Sequence, residues 1–327
     1  MVNLMAPGGT KQMAIDALEC GADSVFIGSK GWSRRPASDE LTDLEMKEVI
    51  QFAGNTGKEA RIAINVMPCP DEIPLFLHKV EQYFAWGAAG VMICDPGCIH
   101  LVREHFPDVD IHVSVTAGLF NIEDIHFYRS MGANLVIIPY RWGVAEIEQV
   151  RNKVDVGLEA FLFQTPHRGW ICPGRCWSSS YLNIDRWVDE EGKDHCIGSA
   201  SRGGSCHRIC QGEWRRWKAD EPTPFTPRLK GSPELLLSEI PAYIELGATC
   251  FKLPGRERST RLVCELVRFY RRVLDYVLAG HSEVDAFVPE WEALRQWWVE
   301  ERVSRDNGRL HHANAMLREP ENRVLNC

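Results

Sequence analysis

One phrase recurs along the chain: a helical pattern closed by Gly-Ala, two further residues, then a short β-rich apolar run. GADSVFIG from Gly21, GAAGVMIC from Gly87, GANLVIIP from Gly132 and GATCFKLP from Gly247 all carry it. Glycine just past the last apolar turn stops a helix. Continuous apolar runs of this length suit strands buried on both faces. Four more such runs, at 2–7, 60–66, 110–115 and 157–163, fall between the phrases. Helical patterns separate the runs, most clearly KQMAIDALEC and PLFLHKVEQYFAW. The alternation predicts an α/β protein, a (β/α)8 TIM-like barrel over residues 1–280. An open doubly wound sheet is the alternative, which the repeat on even-numbered strands disfavours.

Two stretches depart from a plain barrel. A cysteine-rich insertion, 164–231, follows strand seven, and a loop that long is expected to have a function or a bound ion to order it. Residues 281–327 read as a short helical C-terminal extension packing on the barrel, with Trp291, Trp297 and Trp298 in PEWEALRQWW.

The insertion holds CPGRCWSSSYL from Cys172 and GGSCHRICQGEW from Gly203. Each places two cysteines four apart, which on a helical turn share a face with Cβ atoms about 5–6 Å apart. Cys172, Cys176, Cys206 and Cys210 are therefore candidate metal ligands. Four is the number that both structural zinc and iron–sulfur clusters require. Wide spacing in a Gly/Ser-rich loop favours a [4Fe–4S] cluster, with zinc as the alternative. Cys196, or the pair Cys94 and Cys98, would substitute for a missing ligand.

Composition narrows the picture further. With 45% apolar and 25% charged residues the chain reads as globular. It contains no run of eighteen apolar residues, so no membrane span is expected. The opening MVNLMAPGGTKQ lacks the features of a signal peptide, and the expected location is cytoplasmic. Twelve cysteines in a reducing compartment are then not structural disulfides. A net charge of −8 makes nucleic acid an unlikely partner on this reading, because phosphate neutralisation needs a basic surface.

In a barrel of this kind, side chains at the C-terminal strand ends converge on one site. Asp95, Arg141 and Lys252 are the expected catalytic residues. Asn65, Ser114, Arg141, Lys252 and Arg256 are the expected substrate contacts. A long cation at a buried strand end needs an anionic partner. The helix start after strand eight, in PGRERST, would add an anion-binding terminus beside Arg256.

Four segments resemble the collagenase-like peptidase family U-32. They are MAPGGTKQMAIDALECGADSVFIGSKGWSRR (5–35), HVSVTAGLFN (112–121), GRCWSSSYLN (174–183) with GGSCHRICQGEW (203–214), and GATCFKLPGRERS (247–259). That family includes the oxygen-independent hydroxylation pair of anaerobic ubiquinone biosynthesis and enzymes that hydroxylate tRNA and ribosomal RNA pyrimidines. The resemblance implies a [4Fe–4S] cluster on Cys176, Cys206 and Cys210. Many relatives have another cysteine where this chain reads PELLLSEIP, so Cys172 is the expected fourth ligand. It further implies oxygen-independent hydroxylation of an aromatic or hydrophobic small molecule, with prephenate as oxygen donor in several members. A homologous partner chain, in a heterodimer or homodimer, is expected with it. The alternatives are an RNA hydroxylase, a non-catalytic cluster-carrying subunit, and a zinc-dependent hydrolase or peptidase.

Overall fold

The computed structural model describes residues 2–33, 40–139, 142–164, 185–188, 194–197 and 234–301. Eight parallel strands close into a barrel: β1 Asn3–Gly8, β2 Ser24–Gly28, β3 Glu59–Ala63, β4 Gly90–Ile93, β5 Asp110–Val113, β6 Leu135–Ile137, β7 Gly157–Phe161 and β8 Ala248–Lys252. β1 pairs with β2 on one side and β8 on the other, with Met5 opposite both Ser24 and Lys252. The expected barrel is thus the observed fold.

The Gly-Ala phrase works as its chemistry suggests. Gly21, Gly87, Gly132 and Gly247 all have positive φ, between 79° and 116°, and turn the chain from a helix into an even-numbered strand. The helices outside the barrel are α1 Lys11–Glu19, α2 Asp43–Asn55, α3 Ile73–Ala85, α4 Pro96–His105, α5 Ile122–Ser130, α6 Val144–Arg151, α7 Ile240–Glu245 and α8 Thr260–Leu278. Side chains start five of them: Thr10, Thr42, Asp95, Asn121 and Ser259 each accept a backbone N–H of the first turn.

Alternation along the strands makes two cores. Outward residues such as Leu4, Val25, Ile62, Val91 and Phe251 pack under the helices. Met5, Phe26, Met92, Leu135, Ile137 and Cys250 fill the lumen, with Val115 and Phe161 against them. The barrel is therefore a packed solid, and its chemistry belongs at the rim or on polar groups threaded among these side chains.

Short antiparallel pairs occur within and around the long insertion. Phe163–Gln164 pairs with Glu234–Leu235, and Asp185–Val188 pairs with Asp194–Ile197. Tyr140, Arg141, Cys172, Cys176, Cys206 and Cys210 lie outside the described residues. At the other end of the chain, a helix over 288–301 lies along α8 and the loop after β8. Trp298 is buried there beneath the Arg258 guanidinium, 4.1 Å from its ring, and Glu301 accepts from Ser259 N at 3.1 Å. Among the described residues no helix is long and apolar enough to cross a membrane.

Candidate functional site

Four strands turn an ionisable side chain into the lumen: Arg61 on β3, His112 on β5, Glu159 on β7 and Lys252 on β8. Each sits between outward apolar neighbours, so the two-residue period of a strand leaves it no other direction. Glu159 is fully buried, His112 is 1% exposed and Lys252 4%. Charges this deep persist only when paired.

The pairs form a continuous chain. Lys252 Nζ stands 2.9 Å from Glu159 Oε1, while its N–H is directed to Met92 Sδ at 3.0 Å. Glu159 Oε1 is thus held by the Lys252 ammonium. Glu159 Oε2 meets His112 Nδ1 at 2.6 Å. His112 Nε2 has Asp110 Oδ2 at 3.1 Å and Arg61 Nη1 at 2.9 Å. Arg61 in turn pairs with Asp110 and, at 2.8 Å, with Glu59. The chain runs from the C-terminal mouth of the barrel to its opposite end, where Asp110 and Glu59 are partly exposed.

These neighbours set the ionisation. Burial works to raise the Glu159 pKa, but the Lys252 charge and the His112 hydrogen bond outweigh it and hold the carboxyl well below its ordinary value. Asp110 is lowered for the same reason: burial opposes it, and His112 and Arg61 prevail. Burial also works against the His112 cation, yet hydrogen bonds to Asp110 and Glu159 raise its pKa overall.

Above this chain lies the mouth. Lys252 Nζ is 4.3 Å from the centre of the Phe26 ring, and the Arg256 guanidinium is 5.6 Å from the same ring. Arg256 follows β8 and is largely buried; its Nη1 donates to Ser33 Oγ at 3.2 Å. Ser33 donates to Glu40 Oε1 at 2.5 Å, and Gly31 N donates to Glu40 Oε2 at 2.9 Å. The loops after β1, β2 and β8 meet here so closely that a Cβ on Gly9 would overlap the Arg256 carbonyl oxygen. On the opposite rim, Asn65 Nδ2 donates to Ser114 Oγ at 3.2 Å and Thr116 Oγ1 at 3.4 Å. The two hydroxyls are themselves 2.9 Å apart.

The structure thus draws Asn65 and Ser114 together on one side and Lys252 and Arg256 on the other. Asp95 serves α4 as its N-cap, its Oδ1 accepting from Cys98 N at 2.9 Å. Cys94 is occupied with backbone: its Sγ donates to Asn65 O at 3.2 Å. Burial, then the Asp95 carboxylate, pushes the Cys98 thiol far up. Both are buried core thiols. Among the described residues no three His, Cys, Asp or Glu side chains group to hold a metal.

Sequence reasoning missed Arg61, Asp110, His112 and Glu159. The signal was present: three strands that otherwise read as apolar, ARIAI, DIHVS and GLEAF, each carry an ionisable residue at an interior position.

Comparison with known proteins places the chain among relatives. A family model described as Peptidase family U32 matches residues 9–306. The tRNA hydroxylation protein P1 of Bacillus subtilis is 26% identical over 91% of this chain and 67% of its own length. The 23S rRNA 5-hydroxycytidine C2501 synthase of Escherichia coli is 22% identical over 86% of this chain and 41% of its own length. This chain therefore spans about two thirds of the first relative and under half of the second. A solved structure, the U32 peptidase Mk0906, shares the fold with a TM-score of 0.52 at 15% identity, covering 79% of this chain and 95% of that one. These relatives overturn the expectation that nucleic acid is an unlikely partner, because they are named for tRNA and rRNA. Net charge misled because it sums over the whole chain, whereas a nucleic-acid contact depends on local potential.

Proposed function

The chain belongs to the peptidase U32 family, and from that premise we propose that it takes part in hydroxylating a base of RNA without molecular oxygen. The observation carrying this reading is the coverage of the match. Relatives named for tRNA hydroxylation and rRNA hydroxycytidine synthesis align over 91% and 86% of this chain. The site supports it chemically. Lys252 and Arg256, side by side over Phe26, suit an anionic group such as a phosphate. Asn65, Ser114 and Thr116 present an amide and two hydroxyls across the mouth, donors and acceptors of the kind that match a base edge.

Cys172, Cys176, Cys206 and Cys210 are proposed to hold a [4Fe–4S] cluster, which would supply one-electron chemistry. Six of the twelve cysteines are free thiols in the described residues, where no three His, Cys, Asp or Glu side chains group to hold a metal, and the insertion carries the further four that support this reading. Iron and acid-labile sulfide in equal amounts in anaerobically purified protein are expected, with a large loss of both in Cys206→Ala. Full iron content in that variant would remove Cys206 from the ligand set.

The function is tested on nucleosides from tRNA and rRNA of cells with and without the chain, by mass spectrometry. A pyrimidine nucleoside one oxygen heavier than its parent should disappear without the chain and return with it. Persistence of every hydroxylated nucleoside would end the RNA reading.

A further inference from the structure

The buried chain of charges beneath Lys252 is more elaborate than pairing one lysine requires. A single carboxylate would suffice; instead Glu159 is shared with an imidazole, which is shared in turn with Asp110 and Arg61. We propose that Glu159 and His112 are positioning residues for Lys252, and that the proton on His112 Nε2 sets how strongly Lys252 binds an anion at the mouth. The inference rests on the reading of Lys252 as an anion contact.

Geometry supplies the argument. His112 Nε2 has one acceptor, Asp110 Oδ2 at 3.1 Å, and one donor, Arg61 Nη1 at 2.9 Å. With its proton, Nε2 donates to Asp110. Without it, Nε2 accepts from Arg61. Both states find a partner without moving a heavy atom, while Nδ1–H stays on Glu159. The proton exchanges with solvent through Asp110, whose side chain is 33% exposed.

The charges facing His112 decide the consequence. They are Asp110 on its own strand, Arg61 from β3 with Glu59 behind it, Glu159 from β7 and Lys252 from β8. Cys250, beside Glu159 on β8, stays a neutral thiol because burial holds its pKa far above the ordinary value. With His112 charged, three cations balance three carboxylates, and Glu159 divides its charge between imidazolium and ammonium. With His112 neutral, a net negative charge remains and Glu159 faces Lys252 alone. The Lys252 ammonium, 2.9 Å from Glu159 Oε1, lies in the field of that carboxylate. An incoming anion competes directly with that field, and loses ground when His112 gives up its proton.

Sulfate is the probe, because its charge is constant across the range in which imidazoles titrate. Affinity is read by calorimetry in wild type, His112→Asn and Lys252→Met, and the His112 ring by nitrogen NMR of histidine-labelled protein. Wild-type affinity should fall about tenfold over the interval in which Nε2 loses its proton. His112→Asn, which keeps a donor toward Glu159 but no charge, should bind weakly and independently of pH. Wild-type affinity that ignores the His112 titration would overturn the proposal, as would an imidazole that keeps both protons until Lys252 itself is discharged. Those two measurements need only wild-type protein, so they decide the matter even if His112→Asn does not fold. Unchanged sulfate affinity in Lys252→Met is a different failure, and removes the anion role of Lys252 itself.

Discussion

At the scale of residues, the lumen of the barrel behaves as one electrostatic unit. Glu159 and Asp110 have lowered pKa values, so their contribution to stability is present above the ordinary carboxylate values and lost as pH falls through the folded ones. His112 has a raised pKa, so its contribution is complete below its ordinary value and lost as pH rises through the folded one. The lumen therefore contributes most between 4.5 and 6.5, the ordinary values of a glutamate and a histidine. Urea midpoints measured across pH should peak in that interval, and a midpoint still rising past it would contradict the assignment of His112. Glu159→Gln leaves Lys252 and His112 buried without their shared carboxylate. A loss of about 3–5 kcal/mol is expected from urea unfolding; a loss below about 1 kcal/mol would mean that the lumen tolerates unpaired charge.

At the scale of elements, the helix starts and the glycine-rich loops do different jobs. Thr42 heads α2 with a reciprocal capping box, its backbone N–H donating to Glu45 Oε2 at 2.9 Å. Thr42→Ala should cost about 1 kcal/mol and leave ligand binding at the mouth unchanged, a comparison that calorimetry and urea unfolding make together. Gly9→Ala is the opposite case. A methyl there meets backbone rather than a flexible side-chain end, so the loop carrying Arg256 must move. Sulfate binding should fall with this variant even where the fold survives; unaltered binding would show that the loop yields elsewhere.

At the scale of the whole molecule, the helix over 288–301 braces the site from outside. Trp298 lies under Arg258, two residues past Arg256, and Glu301 bonds the Ser259 cap of α8. Trp298→Ala should cost about 3–5 kcal/mol and loosen Arg256 along with Arg258, seen as a joint loss of thermal stability and sulfate affinity. The architecture was readable from the chain because its signals are local: Gly21, Gly87, Gly132 and Gly247 each close a helix and open a strand within a few residues. Asn65, Ser114, Lys252 and Arg256 were readable because the barrel converts a strand end into a position at the mouth. Glu159 and His112 were not, because their meaning lies in partners 47 residues apart on different strands. An isolated polar residue in an apolar run does not announce which strand it will face.

The pairing of β1 with β8 has one more consequence, in the order of folding. Asn3 lies opposite Cys250, and Met5 opposite Lys252, so the first and last staves of the barrel meet across nearly the whole described chain. Contacts of such separation are slow to form, since the loop they close must first be brought together. β8 also pairs with β7, so Lys252 meets Glu159 without that seam, but until it shuts Phe26, on β2, has neither of its two cations. The mouth in which both cations stand over one aromatic ring is thus complete only in the closed barrel.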